Sequence, residues 1–332
     1  PPPSVFERFG VRSLAQVGRA YAEVFGGQLR GSGFGMDLGT LGMVRPDLSF
    51  PAYLGRVPAD GLAPIFNFFD RVGGGEGYHN RVTRRTCRDW RGGRLCYDEH
   101  DGTDFVIPPV TPLCAAAPGV LVAVRDVWVR GGLTAFVDHG QGVVTQYSHL
   151  TRVGVPLGTR LARGEPLGWS GVSGTEMTTF CPWIPPHVHF MVWVRGRPVD
   201  PYGARSATTE QPAWWPDGEP RPADGPLPDD PPPPGLDDLG VDEAAVQRWL
   251  PRCGSDRIRR EIATAAHPAT RLALLEDSLH HDRRAWPTGR GESLPDLRPP
   301  SAASAHPVWL SLPLPRDRYR GAQAADTRFT RP

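Results

Sequence analysis

Between residues 77 and 203 apolar and polar positions alternate in short runs separated by turn clusters. Residues 119–125, 134–138, 143–147, 166–169 and 188–194 are rich in β-branched and aromatic side chains. Such runs at close spacing predict an all-β core with tight turns. His139-Gly140-Gln141-Gly142 and Arg195-Gly196-Arg197 read as hairpin connections. Upstream the period changes. Val5, Phe6, Phe9, Leu14, Val17, Tyr21, Val24 and Phe25 recur at the spacing of an amphipathic helix over residues 4–26, with a break near Gly10. Residues 27–76 are Gly- and Pro-rich, with short apolar runs such as Ala63-Pro64-Ile65-Phe66-Asn67-Phe68-Phe69. Gly31-Ser32-Gly33-Phe34-Gly35 lacks the strand before it and the helix after it that a phosphate loop requires, so it reads as plain loop.

Beyond residue 203 the β pattern stops. Ten of the positions from Pro212 to Pro234 are proline, which favours extended chain that resists packing, so residues 204–235 read as a linker. Residues 236–286 carry helix signals again. Asp242 caps a helix through Leu250, before Pro251. Ser255 caps a second through Ala266, and Pro268 suits the first turn of a third that ends near Trp286. The expected organisation is a helical and loop segment (1–76), a mainly β domain (77–203), the Pro-rich linker, a small α-helical module of unknown partner (236–286) and an irregular Pro/Arg-rich tail (287–332).

The 332 residues are 39% hydrophobic and 22% charged, which suits a soluble globular core. A net charge of +1 gives no reason to expect nucleic acid or an acidic membrane as partner. All 37 basic residues are arginine, a bias read as coding composition and not as chemistry. No apolar run approaches the ~20 residues of a membrane helix. No signal peptide is visible, and the sequence starts Pro1-Pro2-Pro3 without an initiator Met, so processing of an export signal is compatible with it. Among the five cysteines, Cys87 and Cys96 flank the turn Asp89-Trp90-Arg91-Gly92-Gly93. A disulfide there in an oxidising compartment and two reduced thiols are both open. Without a Cys-x-x-Cys pair, a thiolate zinc site is not expected.

The histidines change the picture. His187 and His189 stand two apart in a strand-like run, so both imidazoles project from one face. His100 and Asp104 are four apart around the turn-forming Gly102, a spacing that lets them grip one ion. Two histidines and a carboxylate suit a catalytic zinc site that keeps one position for water. Zinc lowers the pKa of a bound water to ~7 and polarises a carbonyl. Amide hydrolysis also needs a base and an oxyanion partner. His149 and the non-ligand member of the His-x-His pair are the candidates.

Residues from about 97 to 203 resemble the lysostaphin-like, LytM-type zinc peptidoglycan endopeptidases. The resemblance is carried by several phrases in order. The first are Tyr97-Asp98-Glu99-His100-Asp101-Gly102-Thr103-Asp104-Phe105, the Thr111–Leu121 segment, and Val137-Asp138-His139-Gly140-Gln141-Gly142. Gln146-Tyr147-Ser148-His149-Leu150, Gly164-Glu165-Pro166-Leu167-Gly168-Trp169-Ser170-Gly171, Pro186-His187-Val188-His189-Phe190 and Val199-Asp200-Pro201 follow. The resemblance implies one Zn2+ per chain held by His100, Asp104 and His189, with His149 and His187 as catalytic histidines. It implies an antiparallel β-sheet groove and a peptide cross-link of peptidoglycan as substrate, hence an exported protein, periplasmic or extracellular and associated with the cell envelope. The connection from Thr175 to Pro186 is longer than the family's usual one, and Cys114 replaces an aliphatic residue.

A non-catalytic adaptor that activates other wall hydrolases, and a zinc peptidase of protein substrates, are the alternative readings. All five polar residues are present, which an adaptor has no need to keep. His139 in its turn reads as structural, His79 as exposed loop, and His280-His281-Asp282 as a solvated helix end. Cys114 reads as a small core residue and Trp183 as a groove wall. The ~76 residues before the core suggest a segment that blocks the groove.

Overall fold

The computed structural model of the chain describes residues 3–23, 35–74, 81–128, 131–202, 213–215, 219–253, 256–281, 296–298 and 308–325. Its main feature is one sheet of eleven strands. These are β1 (Leu62–Asn67), β2 (Thr103–Val106), β3 (Pro112–Cys114), β4 (Gly119–Val127), β5 (Gly132–Asp138), β6 (Val143–Val153), β7 (Arg160–Leu161), β8 (Pro166–Ser170), β9 (His187–Val194), β10 (Arg197–Val199) and β11 (Gly321–Ala324). The order is β11-β1-β2-β9-β6-β5-β4-β7, with β8 pairing β3 and β6, and β10 pairing β9. Every pairing is antiparallel except β11 with β1.

The mainly β expectation therefore holds, and the five apolar runs lie in β4, β5, β6, β8 and β9. Two strands of the sheet come from outside residues 77–203. The apolar run at 63–69 supplies most of β1, and the Arg-rich tail supplies β11. Trp215, in the Pro-rich stretch, is buried and stacks on Phe190 at 5.7 Å. Proline there does not keep the chain off the core, because the large Trp215 ring has apolar area to bury.

Among the described residues seven α-helices accompany the sheet: α1 (Val5–Arg8), α2 (Leu14–Glu23), α3 (Pro46–Tyr53), α4 (Thr175–Thr179), α5 (Glu243–Trp249), α6 (Asp256–Thr264) and α7 (Pro268–His281). The break between α1 and α2 falls at Gly10, whose φ of +67° suits glycine. Asp242 caps α5, its Oδ1 accepting from the Ala245 N–H at 2.9 Å. Pro268 opens α7. Ser255, Trp286, His79 and residues 31–34 lie outside the described residues.

Strand alternation gives the sheet two apolar faces. Leu121, Val137, Tyr147, Val188, Phe190 and Val192 join Tyr202, Trp215, Leu310 and Leu312 in one core. Val120, Val122, Phe136, Val144, Met191 and Trp193 join Val246, Ile262, Leu272, Leu275 and Leu279 of the C-terminal helices in a second. Each fully buried Leu or Ile of those helices contributes about 1.5–3 kcal/mol before conformational entropy is counted. Polar contacts fix the helices on this face. Arg298 reaches Asp138 Oδ2 and Glu276 Oε2, each at 2.7 Å, Arg125 pairs with Asp277, and Thr270 donates to the Val122 carbonyl at 2.7 Å.

Cys87 and Cys96 are both buried free thiols, and Cys87 Sγ donates to the Cys96 carbonyl at 3.2 Å. Asp89 builds the turn between them by accepting from the N–H groups of Arg91, Gly93 and Leu95. Cys114 is buried, as expected of a small core residue.

His139 is a core histidine, with Nδ1 2.8 Å from the Pro118 carbonyl and Nε2 2.8 Å from Thr145 Oγ1. Burial lowers its pKa to about 4, with the Pro118 hydrogen bond and the Asp138 charge offsetting only part. The folded state thus takes up this proton later than the unfolded chain, whose histidines titrate near ~6.5. The stability it contributes is complete above that value and is lost as pH falls toward about 4. The stability advantage of the native chain over His139→Gln is expected to shrink by about 2–3 kcal/mol between pH 7 and 4.5 in denaturant unfolding.

Candidate metal centre

The centre is assembled by strand register. On β9, His189 lies opposite Asp104 of β2, and His187 lies opposite Val106. His187, His189, Met191 and Trp193 alternate onto one face of β9, the face that the C-terminal helices cover farther along. His100 sits in the loop before β2. Its Nδ1 is held by the Phe68 carbonyl at 2.7 Å, which turns Nε2 toward Asp104 Oδ1 at 3.3 Å and His189 Nδ1 at 3.2 Å. His189 Nδ1 is 2.9 Å from Asp104 Oδ1. One atom each from His100, Asp104 and His189 thus surrounds a single point. Bonds of about 2.0–2.1 Å to one tetrahedral zinc would set such atoms about 3.3 Å apart, so the donor set fits that ion.

The electrostatics favour a cation there. Burial pushes the Asp104 carboxyl up, but the His100 and His187 imidazoles and hydrogen bonds from His100 and His189 outweigh it and hold it well below the usual carboxylate range. Burial opposes charge on His189, yet Asp101 and Asp104 raise it to about 10. The carboxylates that hold a proton on that ring are equally suited to a metal ion.

His149 and His187 stand beside this point with ring centroids 4.8 Å apart. His187 Nδ1 is 2.8 Å from the Pro185 carbonyl, and His149 Nδ1 is 2.8 Å from the Ser173 carbonyl. Each ring is thereby held at Nδ1 with Nε2 left for chemistry. Burial lowers both pKa values, that of His149 to about 4, so both imidazoles are neutral near pH 7.

Simple alternation would not put His149 here. Ser148 lies opposite His189 and shares its face, which sends the next residue to the other side. The β5–β6 register shifts between Leu133↔Leu150 and Ala135↔Tyr147, so β6 spends one extra residue. His149 adopts φ +62° and donates its N–H to the Gly131 carbonyl at 2.7 Å. This bulge re-aims the imidazole to the side of Asp104 and His189.

Structure brings all five sequence candidates together and adds residues that the sequence reading missed. Asn67 Nδ2 donates to Asp104 Oδ2 at 2.8 Å, from a run read only as apolar. The Tyr97 ring lies tilted against His100 with centroids 4.4 Å apart, and Glu176 of α4 lies 3.6 Å from His149 Nδ1. Asp101, inside the His100–Asp104 phrase, sets Oδ1 3.3 Å from His189 Nε2. His280 is fully buried, with Nε2 3.2 Å from Asp101 Oδ2. The expectation of a solvated helix end is corrected, because α7 lies on the apolar face of the sheet with Trp193 edge-on to His280 at 5.2 Å. Trp183 is 51% exposed and packs edge-on against Phe50.

Residues 98–201 match the model of Peptidase family M23, so the LytM-type resemblance of the motifs holds over that span. The chain is 36% identical over 101 residues to peptidoglycan DD-endopeptidase ShyA of Vibrio cholerae, covering 30% of this chain and 22% of that protein. It is 30% identical over 113 residues to DD-carboxypeptidase/endopeptidase Mpg of Neisseria meningitidis, covering 33% and 24%. The chain thus spans about a fifth to a quarter of the length of these relatives. Among solved structures, a zinc-containing peptidase from Vibrio cholerae is 26% identical with a TM-score of 0.28, covering 44% of each chain. The catalytic domain of lysostaphin from Staphylococcus simulans is 28% identical with a TM-score of 0.26, covering 31% of this chain and 75% of that one.

Gly102 tests how tightly the centre is packed. A Cβ there would stand 2.7 Å from His189 Cε1 and 2.8 Å from the Phe190 carbonyl oxygen. Gly102→Ala is expected to displace His189, lowering metal uptake in elemental analysis and costing about 1–3 kcal/mol in thermal unfolding.

Proposed function

We propose that this chain is a zinc metalloendopeptidase that hydrolyses peptide cross-links of peptidoglycan. One observation carries the reading: three donor atoms converge on a point, and two further imidazoles stand beside it. In this reading His100, Asp104 and His189 hold the zinc, and His149 and His187 are the catalytic pair. Zinc, when bound, would lower the pKa of a coordinated water to ~7 and polarise the scissile carbonyl.

The chain's own residues supply the proton transfers. The Nδ1–H groups of His149 and His187 are engaged with the carbonyls of Ser173 and Pro185. Each neutral ring therefore offers a lone pair at Nε2. One ring takes the proton of the attacking water. It then becomes a donor, able to hydrogen-bond the oxyanion and to pass the proton to the leaving amine, while the partner ring, neutral with a free Nε2, orients the water by accepting its second O–H. Low pKa values, set by burial, keep both rings ready to accept at neutral pH.

The wall substrate is supported by the relatives named as peptidoglycan endopeptidases. Peptidoglycan lies outside the cytoplasmic membrane, so the protein acts after export, in the periplasm or outside the cell. Among the described residues no helix is long and apolar enough to cross a membrane.

Purified protein is expected to carry one zinc per chain and to release muropeptides from sacculi in a chelator-sensitive way. His149→Ala is expected to keep the zinc and lose about 10²–10⁴-fold in rate. Digestion at the native rate by that variant would remove His149 from the mechanism. Zinc with cleavage of casein but not of sacculi would move the substrate to protein, and neither zinc nor digestion would favour a non-catalytic adaptor.

A further inference from the structure

We propose that helix α7 completes the metal centre, with Asp101 and His280 as positioning residues for His189. This rests on the metal-binding role given to His189 above. The three ligands are supported unequally. His100 and Asp104 are held from within the sheet, by the Phe68 carbonyl and Asn67 that lie at the end of β1. His189 has its outer partner in Asp101, and Asp101 in turn leans on the C-terminal helical module.

The geometry forms a line of three groups. Asp101 Oδ1 lies 3.3 Å from His189 Nε2, and Asp101 Oδ2 lies 3.2 Å from His280 Nε2. His280 Nδ1 is buried and has no hydrogen-bond partner among the described residues. A ring in that setting keeps its bare lone pair at Nδ1 and its hydrogen at Nε2, where Asp101 accepts it. The other Asp101 oxygen accepts from His189 Nε2–H. That fixes the lone pair of His189 on Nδ1, the atom facing His100 and Asp104. A carboxylate bonded to the far nitrogen of a ligating imidazole sets its tautomer, its orientation and its basicity.

Helix α7 is anchored firmly enough to do this. Arg298 clamps Glu276, Arg125 pairs with Asp277, and Trp193 stands edge-on to His280. Trp193 and His189 project from the same face of β9, so a helix laid on that face brings its C-terminal turn to the ligand. Asp101, His280 and His281 also bring donor atoms within 4.8 Å of one another. We assign the cluster to support of His189 because both oxygens of Asp101 are already taken by imidazoles.

The test is zinc affinity of the full chain by chelator competition, with the visible spectrum of the cobalt-substituted protein as a second readout. His280→Leu and Asp101→Asn are each expected to weaken zinc about 10–100-fold and to shift the cobalt bands. The double variant is expected to be no weaker than Asp101→Asn alone, since one removal breaks the line. His280→Gln, whose amide can donate to Asp101, is expected to recover most of the affinity. Melting of the metal-free proteins separates support of the ligand from loss of fold, and Asp101→Asn leaves the α7 core untouched. Native affinity in either folded single variant would overturn the proposal. Two zinc ions per chain, one of them lost in His281→Ala, would also overturn it, making the cluster a second metal site. Weakened zinc in a protein that digests no wall would uphold it while removing the proposed substrate, and a native chain that takes up no zinc would remove the metal assignment itself.

Discussion

The antiparallel pairing of β9 with β2 is the constraint on which the rest of the site depends. Its register sets His189 against Asp104, and the same pairing leaves His187 two residues away on the same face. A slip of one residue would turn both imidazoles into the opposite core and replace them with Val188 and Phe190. The apolar side of β9 guards against that slip. Val188, Phe190 and Val192 are fully buried, so exchanging the faces would put three large apolar groups into a polar cavity and several charges into a dry one.

Four histidines and two aspartates in so small a buried volume would be costly without mutual compensation. The compensation is visible in opposite directions of titration. The carboxylates are drawn down by imidazoles, and His189 is drawn up by carboxylates. His149 and His187, farther from that negative charge and closed in by the chain, go the other way. The site therefore has a half suited to a cation and a half suited to accepting protons.

The surroundings extend the site on two sides. The long connection after Gly174 brings α4 and Glu176 near His149. It also docks on α3, through Arg45 N–H to the Trp183 carbonyl at 3.1 Å and Ser49 Oγ to the Ile184 carbonyl at 3.2 Å. The N-terminal helices run along the same rim, where Val172 N–H donates to the Arg8 carbonyl at 2.8 Å and Tyr21 Oη lies 3.3 Å from Thr179 Oγ1. On the other side the helical module covers the sheet up to Asp101. Segments that looked separable along the chain thus pack around one site.

The sequence by itself determined the β character of the centre of the chain, the break at Gly10, the start of the helices at Asp242 and Pro268, and the shared face of His187 and His189. Those follow from local rules: strand alternation puts His187 and His189 on one face, and capping and proline act within a turn. Tertiary structure alone decided the position of His149, because a bulge is set by how β6 meets β5, and alternation along β6 predicts the wrong face. It also decided that Asn67 of β1 stands behind Asp104 and that His280 of α7 stands behind Asp101 and His189. Nothing near Asn67 in the chain marks it, since its partner is 37 residues away. His280 next to His281 and Asp282 looks like the polar end of a helix. The helix is buried because the face of the sheet beneath it, with Met191 and Trp193, is apolar and must be covered, and that demand arises in another part of the chain.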